Sequence, residues 1–395
     1  MTRWGVPLLA AATVLFVPAA PALAASAATV PVDRKITDDR VDENSGFAPS
    51  SRRAGLLWTN EDSDNPARIY GIGPSGKTVA TYSLTNLENT DWEAIAALRG
   101  PDRTPWLAVG DIGDNRASRA EITVALFPEP ASKGDTRGAA RYVLHLRYPA
   151  EDGAQDAETL LADPRTGRLY LVTKGLLGGR LYAVPPATWP RPAAPGQVQQ
   201  PTARLLPMAS VPLTLATDGA IAPDGRIVLR TYEVIATLPP PEQDTQGVAQ
   251  PLGETRLPSQ EQGESLALLP GATEALVGSE GKNQPVYRVT VPGPAAAAST
   301  KAAVAGATTA ASRTTAGGAS RLGGEVADAE TKQSGNDQND IVLQAALAAG
   351  GLGALVAAWF GLSRQFRVWS ARRRQREHVE IHVERVEDDV DGEQR

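Results

Sequence analysis

One unit recurs five times between residues 43 and 290: an acidic residue, a short apolar strand, a turn, and a second apolar strand that ends in polar side chains. A third strand follows in most units. Successive units start 45 to 65 residues apart, and their first apolar anchors are Phe47, Ile95, Leu160, Ile221 and Leu266. Repeats of this length, with about four short strands each, are typical of β-propeller blades. We therefore predict an all-β fold, a β-propeller of five blades, or of six if the Pro-rich residues 185–212 form a degenerate blade.

The last unit has room for only three strands, because an Ala/Thr-rich segment begins near Pro292. A strand-like segment at residues 29–37 precedes the first unit and belongs to none of them. Pairing of this segment with the last blade would close the ring and remove a free sheet edge. The sequence thus predicts that the two ends of the propeller meet in one blade.

The ends of the chain carry targeting signals. Residues 1–24 contain Arg3, an apolar run and a small-x-small site at Ala22-Leu23-Ala24, which indicate a secretory signal peptide; an uncleaved anchor is the alternative. Residues 25–292 are the predicted extracytoplasmic propeller. Residues 293–340 are rich in Ala, Thr, Ser and Gly, a composition that buries too little apolar surface to fold, so we predict a flexible stalk.

Residues 341–362 form an uncharged apolar run, long enough to cross a bilayer as a helix at about 1.5 Å per residue. Arginines follow at once, at positions 364, 367, 372, 373, 374 and 376. The positive-inside rule then places residues 363–395, a basic and then acidic tail, in the cytoplasm. We expect a single-pass protein of the cell membrane with its N-terminal domain outside the cytoplasm.

The composition excludes several kinds of chemistry. The chain has no cysteine, so disulfides, thiol nucleophiles and Cys-based zinc sites are absent. It has three histidines, two of them in the C-terminal tail, which leaves a serine nucleophile at Ser45 or Ser265 without a histidine base. The net charge is -6 and no basic stripe occurs before the last thirty residues, which argues against a nucleic-acid partner.

The candidate site follows from blade geometry. In a propeller blade the start of the innermost strand and the end of the second strand lie on the same face, so their polar residues should gather around one mouth. The candidate metal ligands there are the acids Glu93, Glu158, Glu264, Glu43, Asp218, Asp111 and Asp114. The candidate ligand contacts at this mouth are Asn60, Asp62, Asn115, Arg116, Lys174, Arg230 and Lys282.

Carboxylates that converge on an axis repel one another unless a cation lies among them, and an all-oxygen cluster suits Ca²⁺. Three acids, Glu93, Glu158 and Glu264, precede their apolar anchor by two positions, whereas Glu43 precedes its anchor by four and Asp218 by three. The alternative is that the acids accept hydrogen bonds from backbone amides of a neighbouring blade or pair with Lys174 and Arg230. For residues 111–116, the alternative to a ligand loop is an Asx-rich turn.

The repeated elements resemble those of bacterial secreted or membrane-anchored β-propeller proteins related to the SdiA-regulated and esterase-like phytase groups. The elements that carry this resemblance are Glu43-Asn44-Ser45-Gly46-Phe47, Asp91-Trp92-Glu93-Ala94-Ile95-Ala96 and Gly263-Glu264-Ser265-Leu266-Ala267, with residues 57–63 and 109–115. The resemblance implies the propeller fold over residues 43–289 and, through the phytase-like relatives, a Ca²⁺-dependent hydrolase of phosphate esters or lactones.

Two functions are compatible with this sequence. The first is a surface module without catalytic activity, held outside the membrane, that binds an extracytoplasmic protein or small molecule at an acidic mouth which could hold Ca²⁺. The alternative is the Ca²⁺-dependent hydrolase. An enzyme of this kind needs an open metal position beside a general base, so unpaired oxygens on Glu93, Asp111, Glu158 and Glu264 would favour it.

Overall fold

The computed structural model describes residues 30–63, 65–189, 196–242 and 247–293. No helix in these residues is long and apolar enough to cross a membrane. The predicted signal peptide, membrane span, tail and nearly all of the stalk lie outside the described residues.

The described strands are, in chain order, β1 (Val32–Lys35), β2 (Asn44–Pro49), β3 (Leu57–Glu61), β4 (Arg68–Ile72), β5 (Thr78–Leu84), β6 (Trp92–Arg99), β7 (Pro105–Asp111), β8 (Ile122–Pro128), β9 (Gly134–Gly138), β10 (Tyr142–Arg147), β11 (Ala157–Ala162), β12 (Leu169–Thr173), β13 (Gly179–Ala183), β14 (Thr202–Arg204), β15 (Leu206–Val211), β16 (Ala216–Ile221), β17 (Ile227–Thr231), β18 (Val234–Leu238), β19 (Gly253–Arg256), β20 (Leu266–Leu268), β21 (Glu274–Val277) and β22 (Pro285–Thr290).

These strands form five sheets, which are the blades of a propeller. From the centre outward the antiparallel strands are β2-β3-β4-β5 in blade 1, β6-β7-β8-β10 in blade 2, β11-β12-β13-β15 in blade 3, β16-β17-β18-β19 in blade 4 and β20-β21-β22-β1 in blade 5. The inner strands β2, β6, β11, β16 and β20 contact one another in that order, and β20 contacts β2. The ring is therefore closed, and the prediction of five blades is confirmed.

The Pro-rich stretch that could have hidden a sixth blade instead completes two others. Strand β15 is the outer strand of blade 3, and β14 pairs parallel with β10 at the edge of blade 2. Blade 1 carries a similar extra strand, because β9 pairs parallel with β5. The chain between β8 and β10 of blade 2 thus adds an outer strand to blade 1. The chain between β13 and β15 of blade 3 adds an outer strand to blade 2. The six-bladed alternative was wrong.

The core consists of five apolar layers, one between each pair of neighbouring blades. The inner strands of each blade are covered on both faces, so their sequences are continuous apolar runs instead of alternating patterns. Strand β12, Leu169–Thr173, is buried at every position, and so is β17, Ile227–Thr231. The largest layer, between blades 2 and 3, packs Trp106 and Tyr142 against Trp189.

Closure of the ring by the N-terminal strand is also confirmed. Strand β1 pairs antiparallel with β22 and becomes the outer strand of blade 5. The buried Arg34 of β1 reaches into blade 1, where its guanidinium donates to the carbonyl oxygens of Gly55 at 2.7 Å and Gly73 at 3.0 Å. One short strand therefore joins the last blade to the first.

Candidate functional site

A β-bulge lies at the start of the inner strand in blades 1 to 4 and positions two of the acids of the mouth. The pairing with the second strand shifts between Asn44 and Gly46, between Trp92 and Ala94, between Ala157 and Thr159, and between Ala216 and Asp218. The extra residue in each case is Ser45, Glu93, Glu158 or Thr217. Because a bulge leaves its extra residue out of the ladder and redirects its side chain, Glu93 and Glu158 face the mouth.

This register corrects the sequence alignment in blade 4. The structure places Gly219, and not Ile221, at the position of Phe47 and Ile95, so the bulged residue is Thr217. Asp218 lies one position further on. Its fully buried carboxylate accepts hydrogen bonds from the backbone N–H groups of Leu266 at 2.6 Å, Gly219 at 2.7 Å and Phe47 at 3.4 Å. Asp218 therefore ties the inner strands of blades 4, 5 and 1 together, as the alternative interpretation of the acids expects.

Three carboxylates from blades 1 and 2 converge at the mouth. One oxygen each of Asp62, Asp91 and Glu93 lies within 4.8 Å of the other two. Asp62 follows β3, Asp91 precedes β6, and Glu93 is the bulged residue of β6. The Asp62 and Asp91 carboxyl groups hydrogen-bond to each other. We call these three residues the carboxylate triad.

Glu93 is the most constrained member of the triad. Only 5% of its surface is exposed, and no hydrogen bond or ion pair from the described residues reaches its carboxylate. Burial raises the pKa of Glu93 well above its usual range, and the charges of Asp62 and Glu158 raise it further. Burial also raises the pKa of Asp62 to about 7 and that of Asp91 to about 8. A divalent cation would oppose these shifts, because its charge favours the ionised carboxylates.

Gly113 gives the triad its space. A Cβ atom on this residue would lie 2.6 Å from Asp91 Oδ2 and 2.6 Å from Glu93 Oε1. Its backbone N–H donates to the Asp91 carbonyl oxygen at 3.2 Å, so the loop after β7 is fixed against the triad. Only glycine allows the backbone to approach the two carboxylates this closely.

The other side of the mouth is organised around Lys174, which follows β12. Its ammonium nitrogen lies 2.7 Å from Glu158 Oε1, 3.8 Å from Glu264 Oε1 and 5.3 Å from the centre of the Tyr232 ring. The Tyr232 hydroxyl donates to Glu264 at 2.9 Å. Burial raises the pKa of Glu158 well above its usual range, although the nearby ammonium opposes that shift. Glu158 and Glu264 therefore have an internal cation, as the alternative interpretation allows.

The remaining predicted residues have partners inside the fold or lie at the rim. Asp111 pairs with Arg119 at 2.7 Å and accepts from the Thr90 N–H at 3.2 Å. Asp114 accepts from the N–H groups of Ser118 and Arg119, both at 2.6 Å, so its carboxylate fixes the loop after β7. The exposed residues are Asn115, Arg116 and Lys282. Glu43 accepts a hydrogen bond from the Asn65 side chain, and Asn60 donates one to the Trp92 carbonyl oxygen.

Arg230 is fully buried and holds backbone instead of carboxylate. Its guanidinium donates to the carbonyl oxygens of Gly278 at 2.8 Å and Ser265 at 3.1 Å, both in blade 5. Burial lowers the pKa of Arg230 to about 10. Its role in the structure is to join blades 4 and 5 beneath the mouth.

A set of hydrogen bonds links each blade to the next at the level of the mouth. Asn89 donates to the Asp62 carbonyl oxygen at 2.6 Å, and the Asp114 N–H donates to Asp156 Oδ1 at 2.8 Å. The other three links are Leu215 N–H to the Gly175 oxygen, the Thr217 hydroxyl to the Gly263 oxygen, and Gly281 N–H to the Asp42 oxygen. These bonds hold acids that come from different blades in one fixed arrangement.

Sequence reasoning did not identify Asp91, Asp156 or Tyr232 as site residues. Asp91 and Asp156 each precede a bulged glutamate by two positions, in Asp91-Trp92-Glu93 and Asp156-Ala157-Glu158. This repeated Asp-x-Glu element, present in blades 2 and 3, could have marked both. Nothing in the sequence around Tyr232 indicates that its hydroxyl would reach a carboxylate of another blade.

The chain is thus a five-bladed β-propeller with an acidic mouth. No protein-family profile matches it, and no curated protein sequence does either. It is similar in fold to solved propeller structures at low identity. A PQQ-bound aldose sugar dehydrogenase from Streptomyces coelicolor is 14% identical with a TM-score of 0.39, over 66% of this chain and 98% of that one.

Two further structures show the same level of likeness. A gluconolactonase from Xanthomonas campestris is 12% identical with a TM-score of 0.33, over 60% of this chain and 69% of that one. A glutaminyl cyclase from Myxococcus xanthus is 9% identical with a TM-score of 0.37, over 67% and 97%. The assignment as a propeller rests on the strand pairing and on the closed ring of inner strands. The resemblance to the SdiA-regulated and phytase-like groups stays a prediction at the level of the family.

Proposed function

We propose that this protein is a membrane-anchored, extracytoplasmic propeller that binds a ligand at its mouth through a divalent cation, Ca²⁺, held by Asp62, Asp91 and Glu93. The observation that carries the proposal is the Glu93 carboxylate, which is 5% exposed, has no partner among the described residues and lies within 4.8 Å of two more carboxylates. Burying carboxylates together without a cation is unfavourable, and Ca²⁺ prefers oxygen ligands. Asp62 and Asp91 are partly exposed, so a ligand could reach the ion from their side.

The four acids named in the sequence analysis favour a binding module over a hydrolase. Asp111, Glu158 and Glu264 have internal partners, and Glu93 does not. One observation also supports the hydrolase. Glu93 lies beside the proposed ion and could act as a general base toward a water that the ion activates. Incubation of the purified full-length chain with p-nitrophenyl phosphate and with a lactone, with Ca²⁺ or with chelator, separates the two. Ca²⁺-dependent turnover that Glu93→Gln abolishes would replace the module with the enzyme.

Titration of the full-length chain with Ca²⁺ in a calorimeter tests the cation site. We expect one ion per chain, and a melting temperature that chelator lowers. At about a hundred times the dissociation constant, the ion should stabilise the fold by roughly 2.7 kcal/mol. Glu93→Gln should lose the heat of binding, whereas Glu254→Gln, a change on the exposed outer strand β19, should keep it. A melt that ignores chelator, together with no heat on titration, would overturn the proposal.

A further inference from the structure

A second unpartnered carboxylate lies on the blade 5 side of the mouth. Glu280 follows β21, and its backbone N–H donates to the Gln262 carbonyl oxygen at 2.9 Å. The next N–H, of Gly281, donates to the Asp42 carbonyl oxygen at 2.7 Å. The chain at Glu280 is therefore fixed between the segments that carry Glu264 and Glu43. Its side chain is 5% exposed, and no hydrogen bond or ion pair from the described residues reaches its carboxylate.

The charged groups that act on this carboxylate are mostly acidic. Burial raises the pKa of Glu280 well above its usual range, and the charges of Glu264, Asp62 and Glu43 raise it further. Lys174 is the basic residue whose charge opposes this shift. Its ammonium group is already held by Glu158 at 2.7 Å, so the Glu280 carboxylate has no ion-pair partner among the described residues.

The spacing of the acids favours an organic cation over a second metal ion. Ca²⁺ holds its oxygens at about 2.3 to 2.6 Å, which brings them within about 5 Å of one another. Among the described residues, the group of acids that meets this spacing is the carboxylate triad, and it does not include Glu280. An ammonium group binds at about 2.7 to 2.9 Å and accepts fewer, more widely spaced carboxylates. Lys174 shows the same chemistry in the same mouth, with two carboxylates and the face of Tyr232 around one ammonium.

We propose that Glu280 binds the primary ammonium group of a small organic amine that enters the mouth. The inference deepens the proposed ligand-binding function by naming the ligand class. It rests on that function for the role of the mouth, but not on occupation of the triad. A carboxyl-rich mouth also disfavours ligands with added negative charge, since Glu264, Glu280 and Asp62 would repel them.

Calorimetric titration of the full-length chain in saturating Ca²⁺ with 1,4-diaminobutane, and with the neutral 1,4-butanediol of equal length, tests the inference. We expect the diamine to bind and the diol not to. Glu280→Gln should weaken the diamine about tenfold or more, as expected for the loss of a hydrogen bond to a charged group. Glu254→Gln, on the exposed strand β19, should leave it unchanged. Glu280→Gln replaces a carboxylate with an isosteric amide, and a cooperative thermal melt shows that the variant is folded.

Each other outcome has a distinct meaning. Equal binding of the diol, or no effect of Glu280→Gln, would overturn the ammonium site while leaving the Ca²⁺ site intact. A stoichiometry of two Ca²⁺ per chain that falls to one in Glu280→Gln would show that Glu280 holds a second metal ion instead. Loss of the Ca²⁺ heat in Glu93→Gln with diamine binding retained would support two separate subsites. If wild-type protein binds diamine but no Ca²⁺, the proposed cation site fails and the amine site stands.

Discussion

The lack of a side chain on Gly113 leaves the space that two carboxylates of the triad occupy. The position of its missing Cβ is 2.6 Å from oxygens of both Asp91 and Glu93, and its φ is not in the left-handed region. A side chain there would thus displace carboxylates without demanding a strained backbone.

We predict that Gly113→Ala abolishes or strongly weakens Ca²⁺ binding, because the new methyl group occupies the space between the two carboxylates. Calorimetric titration gives the affinity, and thermal melting of the Ca²⁺-free protein shows that the variant is folded. Gly293→Ala is the matched control, since a Cβ at that glycine meets no atom within 4 Å. Full affinity in Gly113→Ala would place the ion elsewhere.

The triad also predicts how stability depends on pH. The pKa values of Asp62, about 7, and Asp91, about 8, lie above the value near 3.9 of an unfolded aspartate. The folded protein therefore binds more protons than the unfolded chain between about pH 4 and 8, and its free energy of unfolding should decrease as the pH rises through this window. The raised pKa values of Glu93, Glu158 and Glu280 act in the same direction.

We expect the Ca²⁺-free protein to melt at progressively lower temperature from pH 5 to pH 8, and saturating Ca²⁺ to flatten this slope because the ion replaces the protons. Asp91→Asn should flatten the slope without Ca²⁺. Melting of dialysed protein in matched buffers measures both effects. Slopes that are the same with and without the ion would mean that the triad does not bind it.

At the scale of strands, the structure explains which elements could be predicted. The inner and second strands of every blade lie between two neighbouring sheets, so they carry apolar runs such as Leu169–Thr173 that are visible in the sequence. The edge strands β9 and β14 are short, polar and largely exposed, and no apolar signal marks them. Their parallel pairing with an earlier blade depends on the finished ring, which local sequence does not encode.

The candidate site shows the same division. The acids could be placed at the mouth because inner-strand starts meet on one face of any propeller. Lys174 could be named as a partner of the acids, but the set that it joins could not be predicted, since Lys174, Tyr232 and Glu264 come from three different blades. In blade 4 the sequence predicts the wrong anchor, Ile221. The true anchor position is Gly219, which lacks the apolar side chain found at this position in the other blades.

Strand β1 supplies the prediction at this scale. Arg34 donates to carbonyl oxygens of Gly55 and Gly73 in blade 1 from a strand that belongs to blade 5. We predict that Arg34→Met lowers the free energy of unfolding by about 1.5 to 3 kcal/mol, the usual contribution of hydrogen bonds to a charged group. Urea denaturation measures this change.

Arg226→Met is the control for Arg34→Met, because Arg226 pairs with the exposed Asp224 in a turn, where ion pairs contribute about 0 to 1 kcal/mol. Deletion of residues 30–37 should cost far more than Arg34→Met, since it opens the sheet edge of blade 5. An unchanged melting temperature in the deletion would show that the ring does not depend on β1.

For the whole molecule, the prediction concerns orientation across the membrane. The apolar run at residues 341–362 and the arginines after it predict that the propeller lies outside the cytoplasm. Protease added to intact cells should therefore release fragments from the region before Asp340 and spare the Arg-rich tail. Antibodies against each end of the chain would follow the two products. A propeller that is cleaved only after the cells are lysed would reverse the assignment.

Strand β1 is synthesised long before its pairing partner, β22. Asp33 and Arg288, which pair across this join, are 255 residues apart in sequence. At about 5 to 20 residues per second, roughly 13 to 50 s pass between the emergence of the two strands. Throughout that interval β1 is an unpaired edge that could join another nascent chain. Three of its four residues, Asp33, Arg34 and Lys35, are charged. These charges make β1 poorly suited to aggregation while it is unpaired.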